Sequence, residues 1–101
     1  MTEFNDDFDG MRVTEANQRE GGWTFLVELG HGEGLAEYWV DVDRDHWTRL
    51  TGRRVEPAEL VAFTFKFLLD KESKELIMKK FNLADVVKYF PAYELELKRV
   101  L

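Results

Sequence analysis

The chain has no cysteine, two prolines and a single serine, Ser73, in 101 residues. Without cysteine there is no disulfide framework, no thiolate metal site and no thiol nucleophile. No apolar run reaches 18 residues, so an ordinary transmembrane helix is excluded. The opening Met1-Thr2-Glu3-Phe4-Asn5-Asp6-Asp7 is acidic and lacks the basic-then-apolar order of a signal peptide. A cytoplasmic protein is the expectation. What the chain does have is apolar material, 45% hydrophobic and 14% aromatic, which is too much for a disordered chain and enough for one core.

Charge is distributed unevenly. Residues 1–52 carry 12 acids against 4 bases, and residues 53–101 carry 8 acids against 10 bases. The net charge of −6 repels phosphate backbones, which makes nucleic acid an unlikely partner. Residues 1–10 read as an acidic flexible tail, whose Phe4 and Phe8 can dock locally, and residues 11–101 as one domain.

Period-two patterning marks the strands. A weak one runs over Met11–Ala16, followed by a turn at Gln18–Gly22. In Trp23–Leu29, the residues Trp23, Phe25, Val27 and Leu29 share a face. After the glycine turn Gly30–Gly34, Ala36, Tyr38, Val40 and Val42 do the same. Aligning the two apolar faces sets Val27 opposite Tyr38, Phe25 opposite Val40 and Trp23 opposite Val42. The same register places Leu26 beside Trp39 on the other face, with Glu28 facing Glu37. Trp39 then stands between Glu37 and Asp41 on a nominally wet surface.

The period turns helical after Val42. Asp43 can cap a helix over Arg44–Thr51, and Gly52 closes it in the left-handed conformation. Glu56-Pro57 opens a longer helix that is apolar around most of its circumference, with Glu59, Lys66 and Asp70 as a narrow polar stripe. Ser73 is read as the cap of a helix over Lys74–Phe81. A short amphipathic helix follows over Leu83–Phe90, and Glu94 paired with Lys98 favours helix after Tyr93. The fold class is therefore α+β: a small antiparallel meander of two to three strands, then a central apolar helix and short C-terminal helices.

No catalytic, cofactor-binding or metal-binding constellation emerges. Asp41-Val42-Asp43-Arg44-Asp45-His46 has the alternating aspartates of a calcium loop, but His46 occupies the glycine position and Gly52 the bidentate-glutamate position. The expectation is that Asp43 and Asp45 belong to a helix cap and a strand end. Of the two histidines, His31 reads as an exposed loop residue and His46 as a helix surface or boundary residue. Gly30-x-Gly32-x-Gly34 lies between strands and does not match a phosphate-binding loop. Lys71, Lys74, Lys79, Lys80 and Lys88 read as a solvated face.

Several stretches together carry a likeness: Tyr38-Trp39-Val40-Asp41-Val42-Asp43, Trp47-x-x-Leu50-Thr51-Gly52, Val55-x-Pro57-x-Glu59-Leu60-Val61, Phe65-x-Phe67-Leu68-Leu69, Ile77-x-x-x-Phe81-x-Leu83 and Tyr89-Phe90-Pro91-x-Tyr93-Glu94. Over residues 23–94 the chain resembles an uncharacterised family of short bacterial and archaeal single-domain proteins. That resemblance implies a stand-alone prokaryotic protein and no activity. The functional expectation is a small protein-interaction or adaptor module, with Leu26 and Trp39 as the contact surface for a protein partner or for a second copy in a homodimer. An enzyme with an unrecognised cleft near Asp41–His46 is the first alternative, and a nucleic-acid-associated protein ranks behind it.

Overall fold

The structure, a computed structural model, describes residues 3–6 (backbone), 10–30 and 32–100. Five strands form one sheet in the order β1-β2-β3-β4-β5. They are β1 (Glu3–Asp6), β2 (Met11–Arg19), β3 (Gly22–Leu29), β4 (Ala36–Asp43) and β5 (Lys80–Asn82). The helices are α1 (Arg44–Thr51), α2 (Pro57–Lys71), α3 (Val86–Tyr89) and α4 (Tyr93–Val100). Strands β1 to β4 form an antiparallel meander, and β5 joins β4 in parallel after the chain has passed through α1 and α2. The α+β class is as expected.

The β3–β4 register agrees with the sequence reading at every pair, from Trp23↔Val42 to Glu28↔Glu37. The alternation sets its parity, and the connection from Gly30 to Leu35 sets which even offset is taken. Phe25, Val27, Tyr38, Val40 and Val42 all reach the inner face and are fully buried there. Met11 and Val13 of β2 join them. The β2–β3 ladder shifts between Glu15 and Asn17, a bulge that lets the long hairpin twist.

Two expectations are corrected. The sheet has five strands rather than two or three, because β1 and β5 are too short to show a period. Backbone pairing of Glu3–Asp6 with Met11–Thr14 makes β1, in a stretch read as tail. The docking of Phe4 and Phe8 lies outside the described side chains. The helix expected over Lys74–Phe81 is instead one 3-10 turn, Lys74–Leu76, followed by extended chain and β5. Ile77 and Phe81 lie four apart, as on a helix, yet tertiary contacts take the backbone elsewhere. The Tyr38 hydroxyl donates to the Lys74 carbonyl at 2.7 Å, and the Trp39 amide donates to the Lys79 carbonyl at 2.8 Å. Ser73 stands at the N-cap of that turn and makes no side-chain capping bond.

Helix α2 covers the inner face of the sheet. It starts on a reciprocal capping box between Glu56 and Glu59 with Pro57 in its first turn. Leu60, Val61, Phe65 and Leu68 are buried. The far side of this apolar helix is covered by α3 and α4: Phe67 meets Phe90 at 5.7 Å and Tyr93 at 5.3 Å between ring centroids. The segment after Tyr93 is helical, the reading favoured from its composition. Buried Tyr93 also reaches the hydroxyl of buried Thr64 at 2.7 Å. Thr64 spends its only proton on the Leu60 carbonyl, so Tyr93 is the donor in that pair.

Two substitutions test this packing. Thr64→Val strands the Tyr93 hydroxyl without an acceptor and is expected to cost about 1–3 kcal/mol, whereas Tyr93→Phe removes the donor and is expected to cost about 1 kcal/mol or less. Urea unfolding of both variants checks the order. Gly22 abuts the Val42 carbonyl oxygen so closely that an added Cβ would collide with it. Gly22→Ala is therefore expected to destabilise by roughly 1–3 kcal/mol, measured in the same way, although alanine ordinarily favours strand over glycine.

Candidate functional site

One face of the sheet has α2 on it, and no described element lies over the other. The C-terminal segment packs on α1, α2 and α3, and β2 lies within the sheet plane, so neither covers the second face. Three rows of directly opposed residues cross this open face. The middle row is Thr14–Leu26–Trp39–Lys80. Beside it run Arg12–Glu28–Glu37 on one side and Thr24–Asp41–Asn82 on the other. The structure thus brings Leu26 and Trp39 together as expected. Trp39 is 44% exposed, while Leu26 is half-buried.

The surroundings of this pair are polar and partly frustrated. Glu28 and Glu37 oppose each other directly, a like-charge cross-strand pair, with Arg12 opposing Glu28 from β2 on its other side. Asp41 accepts a hydrogen bond from the Thr24 hydroxyl at 2.6 Å. Asp43 occupies the N-cap position of α1, but its carboxylate makes no capping bond. It accepts from Arg19 at 3.3 Å and from the Asn82 amide at 3.4 Å, which fastens the ends of β2 and β5 to β4. Gly52, by contrast, closes α1 as read, at φ 61° with its amide donating to Thr48.

The aspartate-rich run diverges in space. Asp41 lies on the open face, Asp43 holds its two partners, Asp45 is exposed in the first turn of α1, and His46 points inward. Among the described residues no three His, Asp or Glu side chains converge on a point that could hold a metal ion. His31 lies outside the described residues.

His46 is 8% exposed, more deeply placed than a surface or boundary residue. The Arg49 guanidinium sits 3.2 Å from its Nδ1 and grips Glu94 of α4 with two further contacts of 3.2 Å. A guanidinium can only donate, so Nδ1 accepts and the imidazole proton resides on Nε2. Nε2 is buried with no partner among the described residues. Burial, and after it the Arg49 charge, lower the His46 pKa, against smaller opposing effects of Glu94 and Asp43. The hydrogen bond from Arg49 holds the Glu94 carboxyl below its usual range. This cluster joins α1 to α4 and offers no open position for a substrate.

The lysines do not form one face. Lys74 donates to the Gly34 carbonyl, Lys88 pairs with Asp85, Lys71 lies near Glu96 and Lys79 sits over the Tyr38 ring. Sequence reasoning missed a different feature. An apolar groove of about 390 Å³ lies between β5, α3 and the end of α2, and it opens beside Lys80. Its rim carries Leu76, Met78 and Tyr89, all more than half exposed. The only hint was Lys80-Phe81-Asn82, a polar–apolar–polar triplet too short to outweigh the helical spacing of Ile77 and Phe81.

No family model, curated protein or solved structure matches this chain. No described helix is long and apolar enough to cross a membrane.

The His46 cluster fixes a pH dependence. A lowered pKa means the unfolded chain binds the proton more tightly, so this contribution to stability is complete above the ordinary histidine value of 6.5 and declines as pH falls below it. The melting temperature is expected to be lower at pH 5.5 than at pH 7.5. In His46→Asn, which keeps an acceptor for Arg49, that difference shrinks. Glu94 acts separately, losing its contribution only as pH falls from the ordinary value of 4.5 through its depressed one.

Proposed function

We propose that this chain is a protein-interaction module that docks a partner protein on the open face of its sheet, with Trp39 and Leu26 as anchors. The exposure of Trp39 carries the reading. A tryptophan leaves much of its large apolar surface in water here, at the centre of a face with no described helix over it. Tryptophan is among the residues most enriched where interfaces concentrate their binding energy.

Charge favours a heterologous partner over a face-to-face homodimer. The face carries three carboxylates, Glu28, Glu37 and Asp41, against two cations, Arg12 and Lys80, so a two-fold contact centred on Trp39 would bring together two surfaces of the same net sign. A partner that surrounds an apolar pocket with basic groups would complement the carboxylates of this face instead. Catalysis near Asp41–His46 has less support, because no three of its acidic and histidine side chains converge and the imidazole is buried. Nucleic-acid binding has less support as well, given the net charge and the scattered lysines. A cytoplasmic setting, expected from the cysteine-free composition, belongs to the same proposal, as does the family resemblance over residues 23–94.

The test is a photo-crosslinking residue at Glu37, used in host cells, together with Trp39→Ala. The wild-type background is expected to give one discrete adduct with another protein. Trp39→Ala should abolish that adduct while shifting the melting temperature by only a few degrees, and light scattering should find the purified chain monomeric at high micromolar concentration. An adduct that survives Trp39→Ala, or a Trp39→Ala chain that no longer folds, overturns the reading.

A further inference from the structure

The sheet ends at β5, and the orientation of its backbone groups is fixed by one bond. The Trp39 amide donates to the Lys79 carbonyl, so that carbonyl faces β4. Successive backbone groups alternate along a strand, which turns the amide and carbonyl of Lys80 away from β4. Among the described residues no strand lies on that outer side. An outward amide and carbonyl on one residue are what an added extended segment pairs with.

The apolar groove lies along the same edge. Phe81 points to the inner face, where its ring meets Phe65 at 6.0 Å, and it forms part of the groove wall. Leu76, Met78 and Tyr89 stand around the opening, 68%, 55% and 68% exposed. Three large apolar side chains around one cleft form a patch that a protein surface rarely leaves in water without use. The groove also joins the surface assigned above, because Lys80 lines it and faces Trp39 across the β4–β5 ladder.

Lysines on a short edge strand are a common defence against unwanted pairing. This edge follows that pattern only in part. Lys79 is drawn over the Tyr38 ring at 4.5 Å, and exposed Leu76, Met78 and Tyr89 border the edge together with the charged Glu72, Lys80 and Asp85, of which Asp85 is paired with Lys88. Lys80 makes no ion pair among the described residues and lies on the open-face side of the strand.

We propose that the partner contributes an extended segment that adds to β5 as a sixth strand, with an acidic residue set between two large apolar ones. The backbone of the segment pairs with the Lys80 amide and carbonyl. Its apolar side chains point to the inner side and fill the groove, and the acidic side chain between them points to the open face and meets the Lys80 ammonium. This deepens the interaction-module reading and rests on it. It supplies the partner's recognition element, while Trp39 contacts the rest of the partner.

A synthetic capped peptide of alternating serine, isoleucine, aspartate and leucine, with the aspartate flanked by the two apolar residues, is the probe. Titrated into the ¹⁵N-labelled chain, it is expected to shift the Lys80 and Phe81 amide resonances and to slow hydrogen exchange at the Lys80 amide by about tenfold or more. Met78→Glu and Tyr89→Ser, at exposed positions, are expected to weaken binding about tenfold each while the circular dichroism spectrum stays unchanged. Replacing the peptide aspartate by lysine should weaken it as well. Peptide binding without slower exchange at Lys80, or binding indifferent to Met78→Glu and Tyr89→Ser, overturns strand addition. So does light scattering that finds wild type dimeric and Met78→Glu monomeric, because the occupant would then be a second copy. The two proposals fail separately. Loss of the Glu37 adduct in Trp39→Ala alongside a peptide that does not bind leaves the interaction module and removes the β5 strand. A bound peptide alongside an adduct indifferent to Trp39→Ala removes the Trp39 anchor.

Discussion

Phe65 of α2 reaches the sheet where β4 and β5 lie side by side, its ring 5.2 Å from that of Tyr38 and 6.0 Å from that of Phe81. Tyr38 is held from three directions at this point. Phe65 packs on its ring, the Lys79 ammonium lies over it, and its hydroxyl bonds to the Lys74 carbonyl. These contacts tie the end of α2 and the chain beyond it to the inner face of β4. With them in place, Lys74–Phe81 gives up the helical spacing of Ile77 and Phe81, and Lys80–Asn82 pairs with β4.

A sheet secured from one side has an obligatory second side. Tyr38 and Trp39 are adjacent aromatics on β4, yet one is fully buried and the other 44% exposed. The period-two geometry of the strand accounts for this difference, since no single strand can direct neighbouring side chains to the same face. With α1, α3 and α4 occupied in sheathing α2 and the sheet's inner border, no described helix is left for Trp39. The open face follows from the number and placement of the helices, and the interaction reading starts from that.

Much of this was legible in the sequence where one periodicity dominated. The facing patterns of Trp23–Leu29 and Ala36–Val42 exclude every odd slip of the pairing, and among the registers left, the one that opposes Val27 to Tyr38 placed Leu26 beside Trp39. Gly52 and Glu56-Pro57 gave the ends of α1 and the start of α2, because left-handed closure and proline at a helix start have few other uses. Legibility failed where short-range signals competed with distant contacts. Asp43 has the chemistry of a cap, but Arg19 and Asn82, both far away in sequence, draw its carboxylate off. His46 looked like a boundary residue because the Arg49–Glu94 bridge that closes over it depends on α4. The groove beside β5 was hidden for the same reason, since its walls come from three elements that meet only in the folded chain.

The parallel pairing of β4 with β5 also sets an order of assembly. The β2–β3 hairpin closes across two residues, Glu20 and Gly21, whereas β5 meets β4 only after α1 and α2 have intervened. Closing the longer loop costs more chain entropy, and a three-residue ladder returns little of it, so contact order places β5 late in folding and early in local opening. Until that strand arrives, β4 is itself the margin of the sheet, and the backbone groups of Trp39 and Asp41 that β5 will take stand unpaired. Chains emerging together at high local concentration are therefore most prone to mispair along β4 during that interval.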